Sequence, residues 1–409
     1  MGDAVQALQE ANAPGQPCPV RRSLAVVPVN CRFGNMAVNQ RLRALLEVSD
    51  LEIIASYPRS FPADVADRAR IRSFPVTRRA IPAMVKFPLF AVQVAIWALV
   101  KRLEGRRYEF VYTFQDVSAV GGWILGRFAD RWAMDVLDDP GQSRGNAAQR
   151  RQRLKSALLQ GYEWVVGFLL RRTDVVFTIG LTLDDPLPRV LAQFYRVARD
   201  RIFPLRQSVD VHLVRASADP AATAPDAISP RVSFVGYVSP LRGVDTLLEA
   251  ATILRGRGVD IELVLVGHLK KEDDEWLSGT QRSLPGLRYI GVLPSPETLR
   301  MMSTVAVGVL PFPDRRELDY VQAVTGIEYL SLGKPIVATD LPGSRALVDH
   351  QVNGMLVPPG NAEAMAQAIE EIVTKPDLAK EMAEASTKKA IEFDASLIRK
   401  EVIRVLRDN

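Results

Sequence analysis

The chain has 409 residues, 47% of them hydrophobic and 24% charged. That excludes a disordered chain and leaves length for two or three domains with real cores. The net charge of +5 is unevenly spread: 29 basic against 19 acidic residues up to Leu205 give +10, and 23 against 28 from Arg206 onward give −5. Two cysteines, Cys18 and Cys31, exclude a disulfide scaffold, and three histidines, all beyond Leu205, argue against a zinc site.

Residues 1–22 are polar and lack the apolar stretch of a secretory signal, so they read as a flexible leader of a chain that is not exported. Residues 23–29 form a short apolar run, the mark of a strand buried on both faces. A Gly-containing turn follows at 30–35, then helical spacing over 36–48 and a second strand at 51–55, which makes a parallel βαβ unit. Residues 87–100 are fourteen residues without a charge, short of the roughly 20 needed to cross a bilayer. A core helix is the favoured reading. A helix lying on a bilayer is the alternative, because Lys86, Lys101, Arg102, Arg106 and Arg107 flank it.

Strands at 110–113, 132–137 and 174–179 alternate with helices at 117–128 and 147–172. An Ala/Pro-rich stretch without periodicity then reads as a linker. A second α/β series follows, with strands at 232–235, 261–266, 287–290, 305–310, 335–338 and 354–357, and a C-terminal helix at 378–407 that breaks near 392–394. The expected domains are 23–207, 230–386 joined by a linker at 208–229, and a final helix, 387–409, packing back on the first domain.

Arg242 stands at the end of a Gly turn, just before a helix that begins near Val244. A helix N-terminus there attracts an anion. A phosphate pocket and an ordinary turn with a surface arginine fit this segment equally. Glu328 is the one acid in an apolar helix over 323–332 that stops at Gly333. A carboxylate there can accept two hydrogen bonds from a vicinal diol, and its apolar neighbours leave little room for a merely solvated position. Asp138 and Asp139 end a strand, where they either orient a hydroxyl or cap the chain around Pro140. His268 follows a Val-Gly pair and reads as a loop histidine or as part of a nucleotide cleft. Basic residues are dispersed without interleaved aromatics, so nucleic acid is not an expected partner.

The ordered pieces resemble a known family. They are Gly236–Asp245 (Gly-Tyr-Val-Ser-Pro-Leu-Arg-Gly-Val-Asp), Leu-Val-Leu-Val-Gly at 263–267, Tyr-Ile-Gly-Val-Leu at 289–293, Val-Leu-Pro at 309–311, Glu-Tyr-Leu-Ser-Leu-Gly-Lys-Pro-Ile-Val-Ala-Thr-Asp at 328–340 and Asn-Gly-Met-Leu-Val-Pro-Pro-Gly-Asn at 353–361. Together they resemble the group 1 (family four) retaining glycosyltransferases. The resemblance is strong from Val232 to about Ala385 and weaker in the first half.

It implies the GT-B fold, an α/β architecture of two Rossmann-like domains facing across a deep cleft. It also implies transfer of a hexose-type unit from a UDP- or GDP-linked donor to a glycan or polyprenyl-diphosphate-linked acceptor, without an obligatory metal or other cofactor. Arg242 takes the place of the family's diphosphate-binding lysine, and Glu328 that of its ribose-binding glutamate; these two are the expected catalytic residues. Tyr237 stands where the family has an arginine, and Tyr320 where it has the first of two paired glutamates. Gly236, His268, the backbone around Gly291 and Val292, and the amides of Ala323, Val324 and Thr325 complete the expected donor site. Gly34 and Asn35 would close on the diphosphate from the first domain or simply make a tight turn. The two tyrosines motivate an alternative, a non-catalytic nucleotide-sugar-binding or scaffold subunit. An epimerase of the same fold is disfavoured by the lack of a His and acid pair in the first domain. The +10 of the first half is the charge expected of a domain docking on anionic lipid or on a diphosphate-linked acceptor, and the protein is expected in the cytoplasm, peripheral on the inner face of the membrane.

Overall fold

Continuous apolar runs between amphipathic helices make parallel strands covered on both faces, and here they make two sheets. The computed structural model describes residues 22–26, 36–55, 61–73, 83–105, 107–114, 118–127, 129–137, 153–219, 230–315 and 323–408. They divide into two units: Met1–Thr178 with Arg189–Phe203 and Val402–Asn409, and Ile179–Pro188 with Pro204–Glu401.

The first sheet has seven strands: β1 (Arg22–Val26), β2 (Asp50–Ala55), β3 (Arg70–Ser73), β4 (Tyr108–Phe114), β5 (Ala129–Val136), β6 (Val175–Ile179) and β7 (Ile202–Leu205). Their order is β3-β2-β1-β4-β5-β6-β7, with β3 through β6 paired in parallel. The helices are α1 (Met36–Val48), α2 (Ala63–Ala66), α3 (Ala83–Leu103), α4 (Ser118–Gly126), α5 (Arg153–Leu170) and α6 (Pro186–Gln193). Crossovers β3-α3-β4, β4-α4-β5 and β5-α5-β6 run in one direction across the sheet. Right-handedness therefore puts α3, α4 and α5 on one face, and α4 packs against both of the others.

The second sheet is wholly parallel, in the order β10-β9-β8-β11-β12-β13. Its strands are β8 (Arg231–Val235), β9 (Glu262–Val266), β10 (Leu287–Gly291), β11 (Val307–Leu310), β12 (Ile336–Thr339) and β13 (Gly354–Val357). The helices of this half are α7 (Val211–Ala216), α8 (Val244–Gly256), α9 (Asp274–Ser283), α10 (Ser295–Ser303), α11 (Val324–Ser331), α12 (Pro342–Arg345), α13 (Ala362–Thr374), α14 (Pro376–Ala390) and α15 (Ala395–Asp408). Val232, Phe234, Leu263, Leu265, Val307 and Val309 meet Leu247, Leu254, Met365 and Ile369 in one buried core. Chain order reverses between β8 and β11, and open α/β sheets bind ligands beyond the strand ends at such a point.

Several boundaries differ from the sequence reading. The linker expected at 208–229 opens on ordered chain: Val209 bridges Asp394, and Asp210 caps α7 by accepting the Leu213 amide at 2.9 Å. The boundary expected at 386/387 falls inside α14, and α15 is shared between the units from Val402 on. Strands β3 and β7 and the short helices α2, α6 and α7 were not expected. The stretch 87–100 is neither wholly core nor wholly surface. Phe90, Val94, Trp97 and Ala98 of α3 are buried, whereas Leu89, Val92, Ile96, Leu99 and Val100 are exposed. Among the described residues no helix is long and apolar enough to cross a membrane. Cys18, Cys31 and residues 1–21 of the expected leader lie outside the described residues, while Arg22, its last residue, opens β1.

Candidate functional site

The loops after β8, β9 and β10 are tied to one another by backbone bonds. The Gly236 amide donates to the Val266 carbonyl at 2.9 Å, Val238 to His268 at 2.8 Å and Gly267 to Gly291 at 2.8 Å. This brings together Gly236, Tyr237, His268 and Gly291 of the expected donor site. Tyr237 and His268 face each other with ring centroids 5.7 Å apart, and His268 is otherwise exposed. Val292 is also exposed, at the surface of the loop after β10.

Tyr237, at the place where a cation was expected, has one over its ring. The Lys270 Nζ lies 5.6 Å from the ring centroid and 3.0 Å from Glu272 Oε1. The Glu272 carboxylate, and then the Tyr237 phenol, hold the Lys270 ammonium above its usual pKa.

Arg242 ends a 3-10 turn, Pro240–Arg242, started by Ser239, whose side chain accepts the Leu241 amide. Gly243 follows with φ +76, where a side chain is strained. A Cβ there would also fall 1.7 Å from the Pro311 carbonyl oxygen. The glycine thus lets the Arg242 turn press against the loop leaving β11. Arg242 is half-buried, and no ion pair holds its guanidinium among the described residues.

That β11 loop leads to α11. No side chain among the described residues caps its N-terminus at Ala323, so none of them competes with an anion for the first amides, those of Val324 and Thr325. Glu328 lies one turn further along. Its carboxylate is half-buried and has no hydrogen bond or ion pair among the described residues. Burial pushes its pKa up to about 7. The neighbouring Tyr329 is fully buried against the sheet and fixes the helix. Beyond the helix, burial lowers the pKa of Lys334.

Gly34, Asn35, Asp138, Asp139 and Tyr320 lie outside the described residues. In the first unit the structure adds a buried group that the sequence reading missed. Arg41 Nε donates to Asp135 Oδ2 at 2.9 Å, and the Tyr112 hydroxyl donates to the same oxygen at 3.0 Å. The available signal was Asp135 itself, an acid in the buried, otherwise apolar end of β5 after Arg131. No group of three or more His, Cys, Asp or Glu able to hold a metal occurs among the described residues.

Residues 229–375 match the family model described as glycosyl transferases group 1. The chain is 31% identical over 156 residues to the alpha-D-kanosaminyltransferase of Streptomyces kanamyceticus, an alignment covering 38% of this chain and 39% of that protein. The similarity to this curated relative therefore spans well under two thirds of its length. Among solved structures, sucrose-phosphate synthase from Thermosynechococcus elongatus superposes with a TM-score of 0.69 at 19% identity, over 95% of this chain and 99% of that one. The Anabaena protein HepE, in complex with UDP, superposes with a TM-score of 0.68 at 14% identity, over 95% and 100%. The two parallel-sheet domains are thus those of the GT-B fold.

Proposed function

We propose that the protein is a glycosyltransferase that moves a hexose-type unit from a nucleotide-sugar donor to a glycan or lipid-linked acceptor, with retention at the anomeric carbon. The observation that carries this reading is Glu328. It is a half-buried carboxylate with no partner among the described residues, one turn into a helix that no described side chain caps, inside the segment that matches the group 1 glycosyl transferases. A carboxylate so placed accepts both hydroxyls of a ribose, while the α11 amides and Arg242 take the diphosphate. HepE, with the same fold, binds UDP.

In the transfer, the bond from the anomeric carbon to the diphosphate breaks and a bond to the acceptor hydroxyl oxygen forms, while the hydroxyl proton passes to the departing nucleoside diphosphate. The leaving charge grows on phosphate oxygens. Arg242 can chelate two of them, and the helix amides add fixed dipoles. Lys270 beside Tyr237 supplies a cation near the place of the missing arginine. The reading calls for no metal or other cofactor. It places the acceptor at the cytoplasmic face of a membrane, as a polyprenyl-diphosphate-linked glycan.

The test is calorimetric binding of UDP and GDP to the parent and to Arg242→Ala and Glu328→Ala. Loss of a charge-assisted phosphate contact should weaken diphosphate binding by about tenfold or more. Parental affinity in both variants overturns the site. Turnover of a panel of nucleotide sugars, followed by mass spectrometry, then separates an enzyme from a binding subunit.

A further inference from the structure

Helix α3 is apolar on both of its long faces. Phe90, Val94, Trp97, Ala98 and Lys101 point inward at helical spacing. The opposite stripe, Leu89, Val92, Ile96, Leu99, Val100 and Leu103, is open to solvent, from 44% exposed at Leu89 to 80% at Leu103. Isolated exposed leucines are ordinary, but a continuous stripe along a 21-residue helix marks a surface that meets something apolar. From residue 83 to residue 103 the helix has no acidic residue.

A further exposed aromatic stands on another helix of the same layer. On α5, Trp164 is 67% exposed and stacks on Phe168 at 5.8 Å. Phe168 in turn meets Trp123 of α4 edge-on, also at 5.8 Å. Two arginines lie over these rings: Arg172 is 3.6 Å from the Phe168 centroid, and Arg127 is 5.3 Å from that of Trp123. The layer is also basic. Among the described side chains, Arg107, Arg127, Arg171 and Arg172, at the ends of these helices, are exposed, against Glu104 and the half-buried Glu163.

We infer that the outer face of α3, α4 and α5 is a monotopic membrane-docking surface, with the α3 stripe in the acyl boundary and the Trp164 and arginine cluster at the headgroups of an anionic bilayer. Each element fits that occupant. An apolar stripe lies in the interface plane, tryptophan favours the boundary between apolar and polar layers, and arginine pairs with lipid phosphate. A second copy of the chain fits less well, because a two-fold contact would place like charges against each other. The inference rests on the proposed function only for the acceptor's location; the surface itself is independent of the sugar chemistry.

The test is co-sedimentation of the full chain with vesicles of phosphatidylglycerol and phosphatidylcholine, and with phosphatidylcholine alone. Readouts are the bound fraction and quenching of tryptophan emission by brominated acyl chains, with Trp164→Phe identifying the Trp164 signal. The parent should bind the anionic vesicles, and Trp164 should be quenched. Ile96→Glu with Leu99→Glu should reduce binding by about tenfold or more, while thermal melting and UDP affinity stay parental. These two side chains already face water, so the exchange leaves the core intact. Absence of parental binding to anionic vesicles overturns the inference. So does parental binding by the double variant, or a parent that is dimeric in solution and that the double variant makes monomeric. UDP affinity reports separately on the donor site, so failure of one reading is visible apart from the other.

Discussion

The hydroxyls of Tyr329 and Ser233 lie 2.7 Å apart, and the Tyr329 hydroxyl also donates to the Ser233 carbonyl at 3.1 Å. This pair pins α11 to β8 and so holds Glu328, one residue earlier, at the strand ends. The Tyr329 ring fills the space over Gly308, where a Cβ would fall 2.5 Å from ring carbons. Tyr329→Phe should cost about 1–2 kcal/mol in urea unfolding, because the Ser233 hydroxyl loses its buried partner. Gly308→Ala should cost about 1–3 kcal/mol, because it overpacks the same spot. Weaker nucleotide binding should accompany both. If both variants unfold at the parental midpoint, the pair does not anchor the helix.

The elevated pKa of Glu328 makes two pH dependences. Its folded pKa, about 7, lies above the roughly 4.3 of a free glutamate. The native state therefore holds a proton that the unfolded chain has lost, and stability falls as pH rises through that window. The loss is on the order of 3 kcal/mol. Glu328→Gln should match the parent near about pH 4 and exceed it in stability at about pH 8. Nucleotide affinity should move the other way, rising through about pH 7 as the carboxylate becomes able to accept the diol. Titration calorimetry across that range should give a flat profile for Glu328→Gln. A flat profile in the parent would remove Glu328 from the site.

The second half was legible because its signals are local. Strand β8 reads as a strand since both of its faces are buried, and α11 reads as a helix because Gly333, at φ +66, stops it. Glu328 stood out as a lone acid among apolar neighbours. Where partners come from far along the chain, the signal fades. Strand β3, Arg-Ile-Arg-Ser, has no apolar run because it is an edge strand. Helix α7 is short and borders an Ala/Pro-rich stretch. Helix α3 is apolar all round, so periodicity could not say which side met the sheet. The Lys270 contact with Tyr237 depends on β8 and β9 lying side by side.

Metal removal tests the source of leaving-group stabilisation. The proposed site assigns the diphosphate charge to Arg242 and the α11 amides. Dialysis against EDTA should therefore leave turnover with the identified donor unchanged, and added magnesium should not raise it. A loss of turnover restored by a divalent cation would transfer that role to a metal and reduce Arg242 to an auxiliary contact.

The buried pair in the first unit is a matter of stability. Arg41 and Asp135 are 3% and 0% exposed at their side chains, and Tyr112 is fully buried beside them. The Asp135 carboxylate offsets the desolvation of Arg41 and keeps it charged, while burial and the same carboxylate push the Tyr112 pKa well up. Removing one partner leaves an uncompensated charge in the core, so Asp135→Ala should cost about 3–5 kcal/mol. The pair itself is no net gain over apolar packing, because both charges are desolvated. Arg41→Met combined with Asp135→Leu should therefore recover most of that loss. Urea unfolding of Arg41→Met alone, Asp135→Leu alone and the two combined completes the cycle. Additive losses would mean that the two groups act independently and that Arg41 is neutralised by something else.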